Sequence, residues 1–230
     1  LFEAGDQIGG QFNLAKQIPG KEEFHETIRY FSNILKKNGV KINLNKKIQP
    51  IDLKEKKYDD VIVSTGVSAR SLDIPGFDEK IVISYIDAIK NLNKVGKKVV
   101  LIGAGGIGFD IAELLSHGEK SPSTNIDDFA EQWGIDFTNH PRGGVTGVTT
   151  KASKSDREIF LLQRKVTPLG IGLGKTTGWT HRLNLRKKEI KMLKGVTYKK
   201  IVKNGIYISI NDQDQFIECD NIIVCAGQEP

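Results

Sequence analysis

The sequence predicts an α/β fold in which short buried strands alternate with helices around a parallel sheet. The run Val99–Ile102 consists of β-branched and aliphatic residues, which is typical of a buried parallel strand. It leads through three glycines into Ile107, Ile111 and Leu114, which lie at helical spacing. A second apolar run, Ile159–Leu162, follows after this helix. Strands that alternate with helices in this way indicate a parallel sheet covered by helices.

The glycines between the first strand and its helix form the pattern G-x-G-x-x-G at Gly103, Gly105 and Gly108. Strand, glycine turn and helix in this order are the context that the dinucleotide-binding fingerprint of Rossmann folds requires. We expect Gly103 to allow the tight turn, Gly105 to expose backbone to a pyrophosphate, and Gly108 to let the helix pack against the strand. The bound anion would lie at the positive end of the helix. A plain glycine turn is the alternative, and the flanking elements favour the nucleotide site.

The composition excludes several other classes of protein. The chain has 230 residues, of which 38% are hydrophobic and 27% charged, and its net charge is +6. No apolar run approaches the length of a membrane span, so we expect no membrane association. The lysines are scattered without interleaved aromatic residues, which favours a solvated surface over a nucleic-acid patch. Cys219 and Cys225 do not form a CxxC motif, so we expect neither a disulfide scaffold nor a metal site, which is consistent with a reducing cytoplasm.

The first residues resemble the end of a strand, Leu1–Glu3, followed by a glycine-containing turn at Gly9-Gly10. An acidic residue at the end of the second strand of a Rossmann unit commonly binds an adenosine ribose. The two glycines allow the backbone to approach a ligand closely. A surface glutamate before a glycine turn is the alternative for Glu3 taken alone. The missing beginning of this strand predicts a fragment of a longer protein.

Periodicity predicts the elements between this turn and the fingerprint. They are a helix with an apolar stripe (Phe24, Ile28, Phe31 and Leu35), two short strands (Val40–Leu44 and Lys47–Ile51), an apolar strand that ends in Thr65-Gly66 (Val61–Gly66) and a short helix (Asp87–Asn93).

The segment after the fingerprint helix, 117–158, is polar and long, which indicates an insertion with small elements of its own, including a helix near Phe129–Trp133. Ile159–Leu162 is followed by Arg164 and Lys165, where an NAD-selective fold would place an acidic residue. Cations at this position can pair with a 2′-phosphate, so the sequence favours NADP. A solvated pair of basic residues is the alternative.

The glycine-rich stretch Gly170–Arg182 contains Lys175-Thr176, but Leu169 occupies the position where a Walker A motif needs glycine. We expect a basic loop that borders the nicotinamide cofactor. The role of His181, general acid or packing, stays open. The remaining apolar runs predict a three-stranded meander (Val196–Ile201, Gly205–Ile210 and Ile217–Cys219) and a last buried strand (Asp220–Cys225).

Six sequence blocks together resemble the two-dinucleotide-binding flavoprotein reductases, and among them the bacterial NADPH-dependent 2,4-dienoyl-CoA reductases. The blocks are LFEAGDQIGGQFNLAKQIPGKEEF, VIVSTGV, IGAGGIGFDIAELL, LLQRK, GLGKTTGWTHR and IIVCAGQEP. The resemblance implies two Rossmann-like three-layer units of the disulfide-reductase type, the first of them incomplete. Residues 1–80 would be part of an FAD-binding domain, 81–225 an NADP-binding domain with its insertion near 117–158, and 226–230 the start of the return to the FAD domain.

The resemblance also implies an activity for the whole enzyme. Electrons would pass from NADPH to FAD, and then through a [4Fe–4S] cluster to an FMN that reduces 2,4-dienoyl-CoA in the β-oxidation of unsaturated fatty acids. In the family the FMN barrel and the cluster precede this region, so the chain would hold the electron-input module and no catalytic residue. Another ene-reductase of the same architecture and a non-catalytic nucleotide-binding module are the alternatives. Related amine dehydrogenases that have lost nicotinamide binding are disfavoured by the intact fingerprint and by the Arg164-Lys165 pair.

Site residues carried over from the resemblance fall into two groups. The FAD group comprises Glu3, Gly10, Gln11, Lys21, Ile48, Thr65 and Gly66, with Ile48 contacting adenine through its backbone from within a strand. The NADPH group comprises Gly103, Gly105, Gly106 and Gly108 at the pyrophosphate, and Arg164 and Lys165 at the 2′-phosphate. Ala226 and Gly227, in the last block, are also expected to bind cofactor.

Overall fold

The computed structural model describes residues 1–54, 58–118, 121–139, 146–151 and 154–230. The chain folds into two compact units, one of residues 1–17 and 21–68 with Pro230, the other of residues 18–20 and 69–229. The boundary therefore follows Ser68 and not residue 80, because Leu72, Ile74 and Phe77 pack with the core of the second unit. The predicted α/β fold with a parallel sheet is confirmed.

The α-helices are α1 (Phe12–Ala15), α2 (Phe24–Lys37), α3 (Pro50–Lys54), α4 (Tyr85–Lys90), α5 (Gly106–Ser116), α6 (Ile126–Trp133) and α7 (Gly178–Lys187), and two 3₁₀ turns span Leu92–Lys94 and Pro122–Thr124. The strands are β1 (Ser68–Ala69), β2 (Val82–Ser84), β3 (Lys98–Ile102), β4 (Glu158–Leu162), β5 (Lys191–Leu193), β6 (Val196–Val202), β7 (Gly205–Ile210), β8 (Gln213–Glu218), β9 (Asn221–Val224) and β10 (Gln228–Glu229).

The second unit is built on a five-stranded sheet of order β2-β9-β3-β4-β5, in which every pairing is parallel. The central strand β3 is the predicted fingerprint strand, and its residues from Val99 to Ile102 are no more than 1% exposed. Helix α5 buries Phe109, Ile111 and Leu115. From β3 the chain moves to β4 and β5 on one side, whereas β9 lies on the other. The carboxyl ends of β3 and β9 therefore form a topological switch point, where open α/β sheets bind ligands.

The predicted three-stranded meander is confirmed as the antiparallel sheet β6-β7-β8. Its strand β8 begins at Gln213, earlier than the apolar residues alone indicate. Ile201, Ile206, Ile208 and Ile217 bury its inner face in the core that also contains residues of the parallel sheet. The edge strands β2 and β5, three residues each, lack an apolar run long enough to predict them.

Two strand predictions in the first unit are wrong. Residues Val61–Gly66 form no strand, and Ile62 and Val63 are 90% and 74% exposed. An apolar segment becomes a strand only through hydrogen bonds to a neighbouring strand, and the described residues offer it none. The segment Lys47–Ile51 is also not a strand, because helix α3 begins at Pro50, where a proline's fixed φ suits the first helical turn.

The remaining predictions for the first unit are met in part. Val40–Leu44 contributes only an isolated parallel bridge between Asn43 and Phe2. The Asn43 N–H donates to the Leu1 carbonyl at 2.9 Å, and the Glu3 N–H donates to the Asn43 carbonyl at 3.0 Å. Helix α2 forms as its stripe predicts, yet none of its residues is buried.

The insertion contains helix α6, which confirms the predicted helix and extends it to Ile126. The side chain of Asn125 caps the helix by accepting from the N–H groups of Asp127 and Asp128 at 2.9 and 3.0 Å. Gly134 ends it with a left-handed φ of +68°. Helix α7 is a correction, because Gly178–Lys187 is helical where a glycine-rich loop was expected to continue. Among the described residues, no helix is both long and apolar enough to cross a membrane.

Candidate nucleotide-binding site

The glycine turn after β3 has the backbone geometry that its sequence predicts. Gly103 has a φ of +110°, and a Cβ atom at this position would lie 2.6 Å from the Cys225 carbonyl oxygen. A Cβ atom on Gly108 would overlap the carbonyl oxygen of Gly103. Glycine at these two positions therefore lets the chain turn left-handed and lets helix α5 lie directly against the end of its strand.

The next two glycines face open space. A Cβ atom on Gly105 or Gly106 would meet no atom within 4 Å. Gly105 is the N-cap residue of α5, and no side chain caps the helix there. The first N–H groups of an α-helix have no acceptor within the helix, so these donors are available to an anion. Open space beside free N–H groups fits the pyrophosphate of a dinucleotide.

Strand β9 brings the last predicted residues to the same edge of the sheet. The Cys225 N–H donates to the Ile102 carbonyl at 2.8 Å, and a Cβ atom on Gly103 would lie 3.0 Å from the Ala226 Cα. Ala226 and Gly227 belong to the second unit, and Ala226 lies against the glycine turn of this unit. The expected start of a return to the FAD domain at residue 226 stays a prediction, and Pro230 belongs to the first unit.

The basic pair also lies at this edge, directly after β4. Arg164 and Lys165 are exposed, and they form no ion pair with any described residue. The Gln163 side-chain amide donates to the carbonyls of Lys165 and Thr167 at 3.0 and 2.8 Å. The turn therefore carries two cations without a counter-charge in the described part of the chain, and the Gln163 side chain holds its backbone.

Tyr198 of β6 is a neighbour of this turn that sequence reasoning missed. The Val196 N–H donates to the Gln163 carbonyl at 3.0 Å, which brings the start of β6 beside the basic turn. Burial raises the pKa of Tyr198 to about 12, and the positive charge of Arg164 opposes this shift only in part. The hydroxyl therefore stays neutral and does not compensate the arginine charge. The sequence contains no periodic signal that places Tyr198 here, because β6 meets the turn after β4 through a backbone hydrogen bond.

The glycine-rich segment packs against the first turn of α5. A Cβ atom on Gly170, whose φ is +70°, would lie 2.7 Å from the ring of Phe109. The Arg182 guanidinium donates to the Gly170 carbonyl at 2.9 Å. The exposed Lys175 and His181 are thereby carried near the fingerprint helix, although the structure assigns neither a contact that defines a role.

The first unit holds the residues expected to bind FAD. Glu3 Oε1 accepts from the Gly5 N–H at 2.7 Å, and no described residue occupies Oε2, which is free to accept from ribose hydroxyls. The Gln11 side chain donates to the Val67 carbonyl at 3.4 Å, next to Gly66. The free carboxylate oxygen of Glu3 therefore fits the ribose of an FAD.

The other residues of this group are characterised by their backbone conformation and exposure. Gly10 and Gly66 have left-handed φ values of +45° and +78°, which favour glycine. Lys21 is half-buried, and Thr65 is exposed. Ile48 is half-buried but lies outside any strand, since helix α3 begins two residues later, so its expected placement is wrong.

A family model matches the whole chain, residues 1–230, and its description is pyridine nucleotide-disulphide oxidoreductase. The chain belongs to this family. It is therefore an oxidoreductase domain of the FAD- and NAD(P)-binding type.

Three individual proteins illustrate what the chain is similar to. A metal reductase of Desulforamulus reducens is 24% identical over 99% of the chain, and a cinnamate reductase of Clostridium sporogenes is 33% identical over 52% of it. The solved structure of a 2-naphthoyl-CoA reductase with 2-naphthoyl-CoA is 26% identical, with a TM-score of 0.76 over 99% of the chain. The chain spans 33%, 18% and 29% of the lengths of these three proteins, respectively.

A histamine dehydrogenase of Rhizobium sp. 4-9 has the same fold, with a TM-score of 0.72 at 13% identity over 99% of this chain and 32% of its own. At that identity the likeness concerns the fold alone.

The family name refers to a disulphide, but the two cysteines of this chain are free and buried. Burial raises the pKa of Cys219 to about 12, with a smaller contribution from Asp220 and Glu218. Burial also raises the pKa of Cys225 well above its usual range. Both thiols are therefore protonated at neutral pH, which leaves them unreactive as nucleophiles. Among the described residues, no group of histidine, cysteine and acidic side chains could hold a metal ion.

Helix α5 is joined to α7 by a buried charged cluster. Glu113 accepts from Lys188 Nζ at 2.7 Å, from Asn184 Nδ2 at 2.8 Å and from His117 Nε2 at 2.7 Å. Burial by itself would raise the pKa of Glu113, but His117 and Lys188 outweigh it and hold the pKa below its usual range. Gln132 of α6 donates to Asn184 at 3.1 Å, so the cluster also anchors the insertion.

Proposed function

We propose that this chain is the electron-input module of an NADPH-dependent flavoprotein reductase. The observation that carries the proposal is the pairing of two features at one edge of the parallel sheet. Gly105 and Gly106 offer open space and free N–H groups for a pyrophosphate. Arg164 and Lys165, one strand away, offer two unneutralised cations for a 2′-phosphate. An NAD site would place an acidic residue where these cations lie.

The chemistry that the two bound cofactors would supply is hydride transfer from NADPH to FAD. The residues of this chain bind and orient both cofactors and move no proton themselves. Glu3 accepts from ribose hydroxyls of FAD, and the glycine turn after β3 holds the pyrophosphate of NADPH. Within this proposal Gly10, Gln11, Lys21, Thr65 and Gly66 also lie along FAD.

We propose that the substrate of the whole protein is a 2,4-dienoyl-CoA, one C=C bond of which takes up two electrons and two protons. The [4Fe–4S] cluster and FMN that the resemblance implies in the rest of the protein would supply the electrons for this reduction. A relative named for 2-naphthoyl-CoA supports a CoA thioester, and a relative named for cinnamate supports a conjugated double bond. The chain spans about a third or less of the lengths of these proteins, and within this proposal residues outside it contact the substrate.

The test is NADPH oxidation by the full-length protein that contains this chain, measured with 2,4-hexadienoyl-CoA, with free cinnamate and without an acceptor. The proposal predicts fast oxidation with the dienoyl-CoA and at least about tenfold slower turnover with the free acid, since a difference of 1.4 kcal/mol in transition-state binding gives this ratio. Faster turnover with free cinnamate would instead identify another ene-reductase. No acceptor-dependent oxidation of NADPH would leave a nucleotide-binding module without this activity.

A further inference from the structure

The basic turn after β4 contains Gln163, whose side chain bonds to the turn itself and not to the space proposed for a nucleotide. Gln163 is half-buried, whereas Arg164 and Lys165 beside it are exposed. Its side-chain amide donates two hydrogen bonds, to the Lys165 carbonyl at 3.0 Å and to the Thr167 carbonyl at 2.8 Å. One side chain thus closes the backbone of a five-residue turn from the inside.

The backbone of the same turn is also held from the other side. The Gly195 N–H donates to the Lys165 carbonyl at 3.0 Å, and the Val196 N–H donates to the Gln163 carbonyl at 3.0 Å. The Lys165 carbonyl therefore accepts from both Gly195 and Gln163. These bonds fix the residues before and after Arg164, while the side chain of Arg164 itself makes no hydrogen bond to any described residue.

No neighbouring group that the structure describes neutralises the positive charges of Arg164 and Lys165, so both can attract an anion. Tyr198, which packs against the core beside the turn, is neutral, and no described carboxylate pairs with Arg164 or Lys165. Two cations on flexible side chains attract any anion, but they discriminate a 2′-phosphate from a ribose hydroxyl only when their backbone is held in place.

We propose that Gln163 is a positioning residue for the preference of this site for NADPH over NADH. It acts through Arg164 and Lys165 by holding the backbone from which they extend, and it makes no contact with the nucleotide itself. The inference rests on the proposed NADPH site and adds a residue that neither the fingerprint nor the basic pair identifies.

The experiment is a double-mutant cycle on the full-length protein with its flavin bound. Dissociation constants are measured by calorimetry for NADPH, NADH, 2′,5′-ADP and 5′-AMP. The variants are Gln163→Met, which keeps the length of the side chain and removes the amide, Arg164→Ala with Lys165→Ala, and all three changes together. Gln215→Met, on the exposed face of β8, is the matched control.

The expected result is a loss of about five- to tenfold in affinity for NADPH and 2′,5′-ADP on Gln163→Met, the size of one or two hydrogen bonds, with less than about a twofold change for NADH and 5′-AMP. In the variant without the two cations, Gln163→Met produces no further loss of preference, because interacting residues are not additive. Gln215→Met leaves all four constants unchanged.

Three results would overturn the inference. Equal losses for NADPH and NADH would give Gln163 a purely structural role, and additive losses in the cycle would mean that it acts independently of the two cations. An unchanged preference in Gln163→Met would remove the role altogether. These outcomes leave the proposed function intact, whereas a wild-type protein with no preference for NADPH would overturn both.

Discussion

Gly108 lies so close to Gly103 that a Cβ atom on Gly108 would overlap the carbonyl oxygen of Gly103. Two residues before Gly108, the same helix begins at Gly106, where a Cβ atom would meet nothing within 4 Å. Two glycines of this turn, Gly103 and Gly108, have no room for a Cβ atom, whereas Gly105 and Gly106 do. This contrast separates the contribution of the turn to folding from its contribution to binding.

We expect Gly108→Ala to lower the free energy of unfolding by about 1–3 kcal/mol, since a methyl group in a packed site forces a backbone shift. Gly105→Ala should change it by less than about 0.5 kcal/mol, because its φ of −84° suits alanine and the space is open. The methyl group at Gly105 would fill the space proposed for a pyrophosphate, so NADPH affinity should fall by at least tenfold. Urea unfolding and calorimetric titration measure the two effects. Equal stability losses in both variants would contradict the packing account.

The basic pair should determine which nicotinamide cofactor is preferred. We expect Arg164→Ala with Lys165→Ala to weaken NADPH binding on the order of tenfold or more, the value of charge-assisted hydrogen bonds, and to change NADH binding by less than about twofold. Dissociation constants at two salt concentrations provide the measurement. Lys203→Ala removes an exposed cation after β6 and serves as the control. Equal losses for both nucleotides would argue against a 2′-phosphate contact.

The buried pair of Glu113 and Lys188 should respond very differently to single and double substitution. Glu113→Gln leaves the ammonium of Lys188, whose side chain is 2% exposed, without a counter-charge, so we expect a loss of about 3–5 kcal/mol in the free energy of unfolding. Glu113→Gln with Lys188→Met removes both charges and should recover most of this loss. Chemical denaturation at pH 7 compares them. A double variant less stable than either single variant would contradict the proposed pairing.

The lowered pKa of Glu113 predicts how the stability of the protein depends on acidic pH. The folded-state pKa of Glu113 is lowered, so its contribution to stability is fully present above the ordinary value of 4.5 and is lost as the pH falls through the lower folded-state value. Wild-type protein should therefore lose stability below pH 4.5 more steeply than Glu113→Gln, which carries no such carboxylate. Unfolding curves at several acidic pH values decide this, and parallel curves for the two proteins would refute it.

The two cysteines should be inert in the native protein. Because burial keeps both thiols protonated, we expect iodoacetamide at pH 7 to leave Cys219 and Cys225 unlabelled until urea unfolds the chain. Mass spectrometry of their peptides measures the labelling. Rapid native labelling of either cysteine would reveal an accessible thiolate, and a disulfide between them would reveal redox chemistry; either result would contradict this prediction.

The second unit was largely predictable, because its strands carry their own signal. Val99–Ile102 and Ile159–Leu162 are continuous apolar runs next to glycine or charge, and buried parallel strands are recognised by that pattern. The edge strand Lys191–Leu193 escaped prediction, since three residues at a sheet edge contain only a short apolar segment. The role of Gln163 was also not predicted, because its side chain bonds to carbonyls of its own turn and such bonds produce no periodic pattern in the sequence.

The first unit shows why an apolar pattern alone is insufficient. Val61, Ile62 and Val63 have the composition of a buried strand, but a strand exists only when its backbone groups pair with a neighbour. The predicted placement of Ile48 in a strand is wrong for a related reason, because a helix begins at Pro50 where the strand would continue. The local sequence specifies the tendency to be extended, whereas the pairing depends on residues far away along the chain.

The central claim is that this chain passes electrons from NADPH to a bound flavin. The most direct measurement is anaerobic stopped-flow absorbance of the flavin in the full-length protein after mixing with NADPH, with NADH and Gly105→Ala as comparisons. The account predicts rapid bleaching by NADPH, slower bleaching by NADH at equal concentration, and a higher NADPH concentration at half-maximal rate for Gly105→Ala. A flavin that keeps its colour with saturating NADPH would contradict the account.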